Sequence, residues 1–68
     1  MKYTFDELKE AHRQIVSTIH KLKETVKTLE AKEQSSRYKS QITLAKRRID
    51  AFTISINLIE TELLKLTQ

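Results

Sequence analysis

The chain has 68 residues, with 13 Lys or Arg against 9 Asp or Glu, and it contains no Cys, Gly or Pro. Without Cys there is neither a disulfide nor thiolate chemistry, and without Gly or Pro the usual turn chemistry of β-rich and loop-rich domains is missing. Charged residues make up 32% and aromatic residues only 6%, a composition of long helices in one small domain, 1–68. The net charge of +4 permits an acidic or nucleic-acid partner without requiring one. No apolar run approaches the length of a membrane span. The residues from Met1 to Glu7 read as the approach to a helix and not as a secretory leader, so a cytoplasmic protein without membrane contact is expected.

In chain order, Thr4 is a good N-cap and Glu7, three residues on, completes a capping box. Asp6 and Glu7 also suit the positive end of the helix dipole. Phe5, Leu8, His12, Ile15, Ile19, Leu22, Val26 and Leu29 then recur at alternating steps of three and four. That spacing is the a/d seam of a coiled-coil helix and predicts a first helix over about 4–33. Its other faces carry Lys9, Glu10, Arg13, Lys21, Lys23, Glu24 and Lys27.

A second seam runs through Tyr38, Ile42, Ala45, Ile49, Phe52, Ile56, Ile59, Leu63 and Leu66. The step from Leu29 to Tyr38 breaks the phase by roughly half a turn at about 100° per residue, so one continuous helix would place the two seams on opposite sides. A reversal resolves the conflict. Gln34, Ser35, Ser36 and Arg37 are polar and include serines that favour turns and caps, so the turn is expected over about 34–37 and the second helix over about 37–67. A reversal between Ser35 and Ser36 sets Leu29 opposite Ile42, Val26 opposite Ala45, Leu22 opposite Ile49 and Phe5 opposite Leu66. The expected fold is all-α, an antiparallel two-helix hairpin of coiled-coil type that dimerises into a four-helix bundle. Beside the seam the same register sets Lys9 near Glu60, Glu30 near Lys39, and Lys23 near Lys46, the last pair repulsive. Exposed pairs of this kind contribute about 0 to 1 kcal/mol each and do not decide a fold.

Residues able to carry chemistry are few. His12 occupies a seam position without the further ligands that a zinc site needs at helical spacing, so no metal is expected. Asp50, Glu60 and Glu62 lie on the second helix, with no apolar pocket evident to raise a carboxyl pKa for acid–base work. A phosphate-cradling loop requires Gly. Small all-helical enzymes such as chorismate mutases hold their anionic substrates with basic side chains in the bundle core, and neither seam contains Arg or Lys. The chain is therefore expected to be non-enzymatic and to carry no cofactor.

Two features remain. Arg37, Lys39, Lys46, Arg47 and Arg48 form a basic run free of acid until Asp50, the expected contact surface if the chain binds nucleic acid. Acidic Glu30 and Glu33 dilute it, and Tyr38 is the one aromatic nearby. The stronger clue is a second apolar stripe on the second helix. Leu44, Ala51 and Leu58 recur one heptad apart at c positions, with Ile54 between them at f and small Ser55 at g, between the stripe and the seam. The first helix is also small at g, with Ala11, Thr18 and Thr25. These residues make a protein-interaction module the expected function: a hairpin that self-associates as a homodimer, or binds a larger protein as inhibitor, adaptor or assembly factor. A nucleic-acid-associated regulator and a purely structural oligomer are the alternatives.

Overall fold

The computed structural model describes residues 3–67; Met1, Lys2 and Gln68, which belong to the expected 1–68 domain, lie outside the described residues. Helix α1 spans Phe5–Glu30, a short 3-10 segment spans Ser35–Tyr38, and helix α2 spans Lys39–Thr67. The two long helices pack antiparallel as an all-α hairpin.

The start of α1 forms for the reason its residues suggest. The Thr4 hydroxyl oxygen accepts from the Glu7 backbone N–H at 3.1 Å, and the Glu7 carboxylate accepts from the Thr4 N–H at 2.9 Å. Two of the four unpaired amides of the first turn are thereby satisfied. The other end departs from expectation. Helix α1 stops at Glu30, three residues before the expected 33, and α2 begins at Lys39 instead of about 37. The reversal thus occupies 31–38. Ala31 closes α1 in a right-handed conformation (φ −81°, ψ −10°) and donates to the Lys27 carbonyl at 3.1 Å. Gln34 takes φ −111°, ψ 53°, and its carbonyl accepts from the Arg37 N–H at 3.0 Å. No described residue has a positive φ. A chain without Gly makes its turn from bridge-region and 3-10 conformations, which need more residues than a tight left-handed turn.

Among the described residues one ion pair and one hydrogen-bonding contact tie the helices together. Lys46 Nζ lies 3.1 Å from Glu30 Oε2 near the turn, and His12 Nε2 lies 3.1 Å from Glu60 Oε2 towards the open end. Both differ from the expected flank pairs. Glu30 meets Lys46 and not Lys39, which gives Lys46 a carboxylate where repulsion from Lys23 was expected. Glu60 receives His12, while Lys9 sits 5.5 Å from the centroid of the Phe5 ring. A long Lys side chain reaches either neighbouring turn, and Lys46 takes the turn that offers opposite charge.

The core is thin. The molecule measures 50 × 16 × 14 Å with a radius of gyration of 15.4 Å, against roughly 11 Å for a compact domain of this length. Among the described residues only Leu8, Val26 and Ala45 are buried. Ile15, Ile19, Leu22, Ile42, Ile49, Phe52, Ile56 and Ile59 are all half-buried along the seam. Phe5 and Leu66, the expected last pair, stay exposed at 38% and 48%. A two-helix layer covers each seam residue from one side only.

Candidate protein-interaction surface

On α2 the seam and the second stripe separate cleanly. Leu44, Ile54 and Leu58 are 50%, 60% and 64% exposed, and Ala51 is exposed with them. With about 100° between successive residues, the c and f positions lie outside the seam that α1 covers, and Leu58 alone of the four borders α1, at the open end. Ser55 differs from the other four expected surface residues. It is half-buried, at the edge between stripe and seam, and its hydroxyl donates to the Ala51 carbonyl at 3.1 Å.

The small residues beside the stripe are less polar than their names suggest. Thr18 donates its hydroxyl to the Gln14 carbonyl and Thr25 to the Lys21 carbonyl, each at 3.0 Å. Like Ser55, they turn their hydroxyls back on their own helix, the usual choice for Ser and Thr in a helix interior. With Ala11 they leave one flank of the hairpin low and locally satisfied. The opposite flank carries Lys9, Lys23, Lys39 and Lys46, together with exposed Val16. The hairpin therefore has a charged flank and a small-residue flank, and the apolar stripe borders the second.

At the open end this flank deepens into an open groove of roughly 1100 Å³, in which Leu58 and Ile59 face Leu8 and Ala11 beneath the exposed ring of Tyr3. Glu7, Glu10 and Glu62 rim it. Sequence reasoning missed this groove and Tyr3. The signal that could have found it is Ala11 at g, a small residue on the same flank as the large Leu58. Leu64 is also exposed, at 62%, and was not among the expected surface residues.

The polar groups are engaged locally. Glu10 accepts from Arg13 Nε at 3.0 Å, from Arg13 Nη2 at 2.6 Å and from Gln14 Nε2 at 2.7 Å. Hydrogen bonds from Arg13 first, then from Gln14, hold the Glu10 carboxyl below the usual carboxylate range, and the Glu10 carboxylate in turn raises the Arg13 guanidinium. Among the described residues no group of three or more His, Cys, Asp or Glu is placed to hold a metal ion, and no helix is long and apolar enough to cross a membrane.

The basic run does not gather on one face. Lys39 and Lys46 share the charged flank, Arg47 points away from the seam, and Arg48 emerges on the small-residue flank, about 160° round the helix from Lys46. Lys46 is neutralised by Glu30 at 3.1 Å, and Arg37 Nη1 donates to Gln34 Oε1 at 3.0 Å. Lys32 lies 5.6 Å from the Tyr38 ring centroid. Four or five phosphate contacts would give a steep fall of affinity with salt; the scattered cations here predict at most weak, shallow-sloped binding. In a gel-shift titration the substitutions Arg47→Glu and Arg48→Glu together should abolish whatever binding exists, and unchanged affinity would exclude this run as the contact surface.

Comparison with family models, with curated proteins and with solved structures finds no match to this chain.

Proposed function

We propose that the hairpin is a non-enzymatic protein-interaction module that works as a homodimer, two hairpins packing α2 against α2 in an antiparallel four-helix bundle. One observation carries this reading. The fold leaves Leu44, Ile54 and Leu58 half to two-thirds exposed on one side of α2, while among the described residues its own core buries only three side chains. Covering a Leu or Ile fully is worth about 1.5 to 3 kcal/mol, so this stripe holds stabilisation comparable to the whole stability of a small domain. The same surface suits a larger protein that offers an apolar groove, and such a partner would compete with the second copy. Inhibition, adaptor function and assembly are the roles open to a module of this kind.

Sedimentation equilibrium at tens of micromolar tests the reading. A mass of two chains, or a one-to-two-chain equilibrium in that range, is the expected result. A mass of one chain at every concentration removes self-association and leaves the stripe to a heterologous protein.

A further inference from the structure

We infer that the second copy docks in one register, α2 antiparallel on α2, with Ile54 seated over the partner's Ala51 and Arg48 paired with the partner's Glu62. This deepens the proposed self-association and rests on it.

The Glu30–Lys46 pair beside the hairpin's internal seam provides a template. There Val26 and Ala45, both buried, are the a and d residues that the expected pairing sets face to face. The ion pair beside them joins Glu30, four residues beyond Val26, to Lys46, one residue beyond Ala45. The stripe on α2 repeats the a/d spacing with c in place of a and f in place of d: Leu44, Arg47, Ala51, Ile54, Leu58, Thr61. Setting Ala51 opposite the partner's Ile54 satisfies a two-fold axis, because the converse contact is the same contact. Leu58 then lies along the aliphatic stem of the partner's Arg47, and Leu44 lies opposite the partner's Thr61.

The template makes two statements. Four beyond Ala51 and one beyond Ile54 are both Ser55, so Ser55 meets the partner's Ser55 at the axis. Small residues suit that place, and the Ser55 hydroxyl is already satisfied by the Ala51 carbonyl. Four beyond Leu58 is Glu62 and one beyond Arg47 is Arg48, so the two form an ion pair that occurs twice. Among the described residues Arg48 has no carboxylate partner. Glu62 gives one oxygen, Oε1, to Lys65 at 3.3 Å and keeps Oε2 for a second donor.

Other registers fail on the charge pair. Sliding one heptad in either direction sets Ile54 opposite the partner's Leu44 or the partner's Leu58, so apolar contact alone does not select the register and the charge pair does. Both slides separate Arg48 from Glu62.

The test is a charge-swap cycle on the full chain, read as the dimer dissociation constant by sedimentation equilibrium, with circular dichroism as the check on folding. Arg48→Glu alone, and Glu62→Arg alone, should each weaken the dimer by roughly tenfold, because each puts like charges together at two symmetric places. The double swap should restore it. In parallel, Ser55→Cys should cross-link chain to chain with a short bismaleimide, whereas Thr28→Cys on the far side of α1 should not. If the wild type sediments as one chain, this register and the self-association reading fall together. If it sediments as a dimer but the swap gives no rescue and Ser55→Cys does not cross-link, the register is overturned while the dimer stands.

Discussion

Replacing Ile54 and Leu58 together by Lys is expected to turn the two-chain species into a single chain at tens of micromolar, with most of the helical signal retained. Both side chains stand outside the seam, 60% and 64% exposed, so neither substitution removes a seam contact of the hairpin. What remains to be covered on each is more than half of its surface, worth about 1 to 2 kcal/mol per side chain. A two-fold interface contains four of them, so the loss reaches about 4 to 8 kcal/mol, or roughly a thousandfold or more in the dissociation constant. Four new ammonium groups near one axis add repulsion. The helices themselves should persist, because Lys is as good a helix former as Ile or better. A double variant that sediments like a two-chain wild type would place the interface elsewhere. A fully unfolded variant would mean that the hairpin cannot stand without its partner.

The second large effect comes from inside the hairpin. Val26→Cys with Ala45→Cys should oxidise to an intramolecular disulfide and raise the melting temperature substantially. Both positions are buried, at 8% and 7%, and the Glu30–Lys46 bridge at 3.1 Å holds the neighbouring turns together. A disulfide that closes a loop of this size, the last turn of α1, the whole reversal and the first turns of α2, restricts the unfolded chain by about 3 kcal/mol. In a domain this small each kcal/mol moves the midpoint by about 4 to 8 °C, so a gain of roughly 10 °C or more is expected, less any strain in the bridge. Bridges that form only between chains at high dilution would mean that α1 pairs with another molecule's α2, a swapped arrangement in place of the hairpin.

The fold was legible because its cause is periodic. A three-four alternation in Phe5–Leu29 and again in Tyr38–Leu66 needs nothing beyond residue spacing to give two amphipathic helices, and the phase break between them needs nothing beyond helical geometry to require a reversal. The capping box at Thr4 and Glu7 was equally local, and the structure reproduces it bond for bond. The stripe of Leu44, Ala51, Ile54 and Leu58 was legible for the same reason: residues outside the seam period stay largely uncovered by the partner helix.

Only the tertiary structure decided the rest, because the rest depends on distances between residues far apart in sequence. The turn took 31–38 and not 34–37, since a chain without Gly must spread its reversal over several right-handed residues. Lys46 chose Glu30 and Glu60 received His12, choices that periodicity leaves open because a long side chain can reach two turns of the facing helix. The basic run, contiguous in sequence, was split round α2 by the 100° step between residues. The groove lined by Ala11 and Leu58 exists only once the two helices lie side by side. Spacing along the sequence determined which residues face inward; packing in three dimensions determined how little of the apolar surface one hairpin can cover.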